Sequence, residues 1–313
     1  VDLAAEVPDL ELLDNEAQDV SVERGIELAQ LAEESAMQYD RRITNSEGAE
    51  FGSSFNRIIH VNSEGFAGEY ATSTFRLSVS PVATTNGSME RDHWYTAARQ
   101  YDALDSPETV GREAGRRVIR RLGARKVRTR EIPVVFDATI AGSLVRHVGQ
   151  AVSGYALYQR ASFLCDRLGQ RVASELVNIV DDGTILQALG SRPFDGDGVG
   201  VRRKEVITAG VLETYLLDTY SARKLGGKST GNAVRGAGQA SGVSPMNFYL
   251  LPGEHSLGDI VASVEDGFLV TELMGFGVNL VTGDYSRGAA GIWIEKGELT
   301  YPVAELTIAG NLT

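Results

Sequence analysis

Cysteine is almost absent from the 313 residues: Cys165 stands alone, so no internal disulfide can form. That argues against a stapled secreted scaffold and for a reducing cytoplasm, with Cys165 itself read as a small buried apolar residue. No run approaches the roughly 20 apolar residues of a spanning helix, and the first residues lack the basic-then-apolar order of a signal peptide. The chain is therefore expected to be soluble. Bases are also short, 30 Lys and Arg against 42 Asp and Glu, giving a net charge of −12 and a pI near 4.9. Such a balance disfavours nonspecific attachment to DNA or to an anionic membrane. Internal repeats and low-complexity tracts are missing too. Val rather than Met stands at position 1, and the expectation is a chain that begins inside a longer gene product.

With 42% hydrophobic residues the chain can build a sizeable core. Residues 1–40 carry twelve acids and a single base, Arg24, and up to Asp19 show no sustained period, so they read as a linker or surface arm. A helix follows over Val22–Met37, with Ile26, Leu28, Leu31 and Ala32 as its apolar stripe. Phe55–Val61, Gly68–Val82 and Met89–Tyr101 read as three strands of a meander, and Ser106-Pro107-Glu108 opens a helix that stops at Gly123. Residues 112–130 hold nine Lys and Arg and one Glu; a solvated helix face is the favoured reading. Ile132–Phe136 is a short strand, and Asp137 caps one long helix to about Tyr158. Beyond it, hairpins are expected at Ala209-Gly210 and Lys296-Gly297, with strands at Asn247–Leu251 and Phe268–Leu273 and a helix at Leu257–Val264. The fold class is α+β, with mostly antiparallel mixed sheets and a few packed helices. Three units are expected: the arm and helix of 1–40, a meander plus helix over 41–130, and an α+β unit over 131–313.

Few motifs carry chemistry. Ala222–Ser229 fits a loose phosphate-loop pattern, but the glycine-rich continuation cannot start a helix. Asp195-Gly196-Asp197-Gly198 begins like a calcium loop and lacks the closing bidentate acid. Neither a Gly-x-Ser-x-Gly elbow nor a Cys–His pair is found. His60, His93, His147 and His255 are scattered, with no two at metal-ligand spacing. His147 lies on the long helix, where a metallopeptidase could place a ligand, yet Val148, Gln150 and Val152 offer neither a second imidazole nor an acid. What remains is a set of glycine- and polar-rich segments, 190–196, 229–242 and 275–288, which turn corners in a sheet or line a groove.

Those segments carry a resemblance. Ile43–Ala49, Gly190–Val199, Leu216–Gly226, Val270–Leu273 with Gly283–Gly291, and the closing Ile308–Leu312 resemble the TldD/PmbA family, in its PmbA (TldE) branch. The resemblance implies an α+β fold of that type, and an additional N-terminal α/β domain and C-terminal tail beyond both ends of this sequence. It further implies membership of a two-component zinc peptidase. In the TldD branch a His-Glu-x-x-x-His helix and a tail cysteine hold zinc; laid on this chain, the first His falls on His147, the Glu on Val148 and the second His on Val152. No cofactor is thus expected in this chain and no catalytic or metal residue, with zinc in a TldD-type partner subunit. The implied partners are that subunit and a peptide substrate, without a membrane and without nucleic acid. Groove or interface candidates are Arg192, Asp195, Asp284, Tyr285, Ser286 and Arg287. The alternative is a binding or regulatory protein of the gyrase-modulator type, whose physical support is the basic stretch 112–130.

Overall fold

A computed structural model describes residues 2–17, 20–236, 238 and 241–313; Asp19 of the acidic arm and part of the 229–242 segment thus lie outside the described residues. Helix α1 (Val22–Tyr39) starts where Ser21 Oγ accepts from the Arg24 backbone N–H at 3.2 Å. Its buried ridge is Gly25, Leu28, Ala32 and Ala36, whereas Ile26 is 53% exposed. The expected stripe was displaced because the small residues at 32 and 36 admit α2 (Pro107–Ile119) to close contact, with Val110 and Ala114 completing the core. Both helices cover a sheet in which β1 (Ile43–Val61) pairs antiparallel with β2 (Ala67–Thr85). The helix of the expected 1–40 unit therefore shares the core of this sheet.

The third meander strand divides into β3 (Ser88–Arg91) and β4 (Trp94–Ala98), both paired with β2. Asp92 interrupts the ladder by turning its carboxylate inward to Arg117, at 3.4 Å, while accepting from the His93 N–H at 2.8 Å. Next come β5 (Val134–Phe136), α3 (Ala138–Ala151) and α4 (Gly154–Tyr158). The single long helix expected here is broken at Val152–Ser153. Val152 O accepts from Leu216 N at 3.0 Å and Gly154 N donates to Leu216 O at 2.8 Å, so a distant strand-like segment takes the backbone groups that a continuous helix needs. Gly154 fits because a Cβ there would lie 2.2 Å from Ser221 Oγ.

The remaining elements are β6 (Ile179–Asp182), β7 (Lys204–Thr208), β8 (Val211–Leu212), α5 (Thr219–Leu225), β9 (Ala233–Val234), β10 (Gly242–Val243), β11 (Asn247–Leu250), α6 (Leu257–Ala262), β12 (Asp266–Met274), β13 (Asp284–Glu295) and β14 (Glu298–Asn311). One sheet runs β11-β6-β7-β8 and another β14-β13-β12-β5; β5 beside β12 is a parallel pair, and the other pairings are antiparallel. The fold is thus α+β with mostly antiparallel sheets, as the pattern predicted. Ala222–Ser229 is the end of α5 and its left-handed cap Gly226, not the start of a helix, which removes the phosphate-loop reading. Among the described residues no helix is long and apolar enough to cross a membrane.

The acidic arm is docked rather than free. Leu10 and Leu12 are buried, Leu12 O accepts from Ser73 N at 2.9 Å, and Leu10 O from Gln187 N at 2.9 Å. Asp14 accepts from the backbone N–H groups of Tyr101, Glu16 and Ala17 at 2.8–3.0 Å. Backbone pairing of this sort leaves no hydrophobic period to read. Burial opposes ionisation of Asp14, but the three N–H groups together hold its pKa below the ordinary value. The hold is therefore complete above the ordinary carboxylate range and fades as pH falls through the lowered value. Asp14→Ala is expected to speed protease cleavage within residues 5–17 by about tenfold at pH 7, since a buried N–H loses its acceptor. An unchanged cleavage rate would show that Leu10 and Leu12 suffice.

The basic stretch also differs in part from expectation. Arg117 is 5% exposed beside Asp92, and Arg121 reaches Glu272 at 2.5 Å and Glu90 at 3.4 Å. Arg116 pairs with Glu113, Lys126 with Glu305 and Arg130 with Asp266, while Arg125 and Arg130 lie over Tyr301 and Trp293. Arg112, Arg116, Arg125, Lys126, Arg128 and Arg130 are exposed, as a solvated face requires, whereas Arg117 is buried and Arg121 ties α2's end to β3 and β12.

Candidate functional site

Helix α3 presents Ser143 and His147 on one side, four residues apart. Strand β13 presents Tyr285 and Arg287 on one face, two residues apart, while Asp284 and Ser286 point to the other and are exposed. The imidazole of His147 and the ring of Tyr285 meet edge to face with centroids 6.3 Å apart. His147 Nδ1 lies 3.4 Å from Gln150 Oε1. Four polar atoms are shielded from solvent with no hydrogen-bond partner among the described residues: Ser143 Oγ, His147 Nε2, the Tyr285 hydroxyl and Arg287 Nε.

Burial pushes the His147 pKa down; Gln150 works the other way, and the positive charges of Arg287 and Arg146 add to the depression. The imidazole is therefore biased towards its neutral form. Burial raises the pKa of Tyr285, with Arg287 opposing, so the phenol keeps its proton. The loop 275–283 folds back along β13: Ser286 N donates to Gly277 O at 2.6 Å, Asn279 N to Asp284 O at 2.9 Å, and Val278 bridges Tyr285.

Of the candidates read from the sequence, the structure brings together His147, Tyr285 and Arg287. The others lie elsewhere. Asp284 accepts from Thr282 Oγ1 at 2.6 Å and Asn311 Nδ2 at 3.0 Å, a tie between β13 and the chain end. Asp195 is 2% exposed and accepts from the N–H groups of Asp197, Val199 and Ala233 at 2.8–2.9 Å, so its carboxylate closes its own turn. Burial raises its pKa and those three donors oppose the rise. Arg192 is half-buried near Tyr70 and Lys204. Ser143 escaped the sequence reading, although its place one turn before His147 was the available signal.

The residues around His147 do not fit a zinc ion. Val152 is fully buried and Val148 packs on the same apolar cluster, around Ala151, Leu164 and Leu216. Beside the imidazole lies the Tyr285 phenol, and the positive charges of Arg287 and Arg146 act on it, which disfavours a divalent cation. Among the described residues no three His, Cys, Asp or Glu side chains converge as ligands. Cys165 is half-buried rather than buried, its thiol 3.7 Å from the Leu157 carbonyl.

Two family models cover most of the chain, the PmbA/TldA metallopeptidase central domain over residues 15–122 and the C-terminal domain over residues 129–313. The chain belongs to the PmbA/TldD family. It is 42% identical to the metalloprotease PmbA homolog of Haemophilus influenzae over 99% of its length, and 42% identical to metalloprotease PmbA of Escherichia coli O157:H7 over 99%. It spans 66% of the length of each of these relatives. A metalloprotease TldD homolog of Haemophilus influenzae is 29% identical over 95% of the chain and 64% of its own length. Among solved structures, a Bacteroides thetaiotaomicron protein named for modulation of DNA gyrase superposes with a TM-score of 0.90 at 31% identity, over 99% of this chain and 69% of that one. TldE of Thermococcus kodakarensis shares the fold, with a TM-score of 0.86 at 23% identity over 98% of this chain and 69% of its own. The matching family models and these relatives bear the names metallopeptidase and metalloprotease.

Proposed function

We propose that the chain is the non-zinc member of a TldD/TldE-type peptidase, paired with a TldD-type subunit that carries zinc and cleaves the peptide. The observation that carries this is the environment of His147: an imidazole biased towards its neutral form beside Tyr285, with the charges of Arg146 and Arg287 acting on it and valine at both positions where a second ligand and a base are needed. Hydrolysis on a metal requires ligands that hold the ion and a group that takes a proton from the bound water; these residues supply neither. Greater identity to PmbA relatives, 42%, than to a TldD homolog, 29%, supports the same branch.

In this reading the chain consists of residues 1–40, a unit over 41–130 and a unit over 131–313, following an N-terminal domain of the longer relatives. It works in the cytoplasm and completes the chamber in which an extended peptide lies. Strands β1 and β14 sit at the edges of their sheets, β14 already pairing with Arg125 beside Val303, and the substrate chain would pair with such an edge. Nucleic acid is not a partner in this reading, because the chain carries a net charge of −12 and Arg116, Arg117, Arg121, Lys126 and Arg130 are already paired with carboxylates. Mixed with a TldD-type homologue, the chain is expected to elute as a stable complex in size-exclusion chromatography; two separate peaks at micromolar concentration would remove the reading.

A further inference from the structure

The four unpartnered atoms of the His147 site share one property. Arg287 Nε–H, the Tyr285 hydroxyl and Ser143 Oγ–H can all donate, and His147 Nε2 donates once protonated. Buried polar groups without partners are rare, because each costs free energy comparable to a lost hydrogen bond. Here three of them belong to His147, Tyr285 and Arg287, whose side chains act on one another, and the fourth, Ser143, stands one helical turn before His147. Tyr285 is 5% exposed, so its hydroxyl is held inside the fold. The charges acting on His147 are Arg287 and Arg146, and the one acting on Tyr285 is Arg287; no carboxylate acts on either. The nearest acid in sequence, Asp284, faces the other side of β13 with its oxygens taken by Thr282 and Asn311.

We infer that this cluster is an oxyanion site that takes a carboxylate, the C-terminal carboxylate of a bound peptide. Arg287, half-buried with its Nε shielded, brings one positive charge, which favours a carboxylate over a doubly charged phosphate. Arg287 supplies the charge and Tyr285 the neutral donor, with Ser143 one turn away from His147 on α3. The polar atoms are shielded, so the ligand enters as the adjoining loop 275–283 gives way; Gly275 and Gly283 bracket it at φ +74° and +80°. The choice of a peptide as bearer of the carboxylate rests on the peptidase-subunit reading, whereas the oxyanion site does not.

Calorimetric titration of the full chain with a tetrapeptide free acid, its C-terminal amide, acetate and inorganic phosphate tests both parts. The free acid is expected to bind about tenfold or more tightly than the amide, and Tyr285→Phe to weaken acid binding about fivefold. The same substitution is expected to leave the melting temperature of the free protein unchanged or raised, because it deletes a hydroxyl that has no partner; a purely structural role predicts a lowered one. Arg287→Gln is expected to abolish binding. Equal affinity for acid and amide, with acetate bound and lost in Arg287→Gln, overturns the peptide assignment alone. Phosphate bound more tightly than acetate overturns the carboxylate assignment. No binding of any of the four, or acid binding untouched by Tyr285→Phe, overturns the site.

Discussion

Lys204→Met is expected to destabilise the protein by about 3–5 kcal/mol, the range for stripping one partner from a buried ion pair. Lys204 is 7% exposed, and its Nζ lies 3.1 Å from Asp181 Oδ2, 3.1 Å from Arg202 O and 3.2 Å from Thr230 O. Burial lowers the Lys204 pKa and Asp181 pulls it back up. Asp181 is fully buried and also accepts from Asn232 Nδ2 at 2.7 Å and Met246 N at 2.6 Å. The pair thus ties β6 and β7 to the segments on either side of β9 and β10. Removing the ammonium leaves a carboxylate that water cannot reach. Replacing the acid as well, in Lys204→Met/Asp181→Asn, is expected to recover part of the loss, because Asn keeps an acceptor for Met246 without the charge. Urea unfolding of the three proteins reads this; a single variant within about 1 kcal/mol of the parent would show that the pair is relaxed or hydrated.

Gly291→Ala is expected to cost at least about 3 kcal/mol or to prevent folding. Gly291 lies in the middle of β13, opposite Val270 on β12 and Val303 on β14. A Cβ there would lie 1.9 Å from the Leu269 backbone oxygen and 2.9 Å from the Phe268 ring. Neither neighbour can retreat. Phe268 is 2% exposed against Trp293 at 1%, and the oxygen belongs to the central ladder of the sheet. Gly310→Ala near the end of β14 is the control, since nothing stands within 4 Å of its added methyl, and it is expected to change stability by less than about 0.5 kcal/mol. Equal melting temperatures for the two variants would contradict the packing described for β12 and β13.

Local chemistry was legible in the sequence; chemistry that depends on distant segments was not. Ser106 caps the helix it was read to open, and the turns Ala209-Gly210 and Lys296-Gly297 have the positive φ values, 47° to 78°, that a two-residue hairpin requires. The break at Val152–Ser153 could not be seen, because Leu216 and Ser221 cause it. Arg117 and Arg121 read as a charged surface because their partners, Asp92 and Glu272, lie far away along the chain. At the candidate site the strand period already divides Tyr285 and Arg287 from Asp284 and Ser286. What the period cannot supply is the meeting with His147, on a helix about 140 residues earlier. Asp195 was drawn into the candidate set by its glycine-rich surroundings, and those glycines serve the turn that its own carboxylate closes.

The central claim, that hydrolysis belongs to a zinc-bearing partner and not to this polypeptide, is tested most directly by metal content and peptide cleavage measured on the chain alone, on a TldD-type homologue alone and on the two mixed. The account predicts no stoichiometric zinc in the lone chain and cleavage that appears fully only in the mixture. Stoichiometric zinc in the lone chain, with cleavage that His147→Ala abolishes, would contradict it.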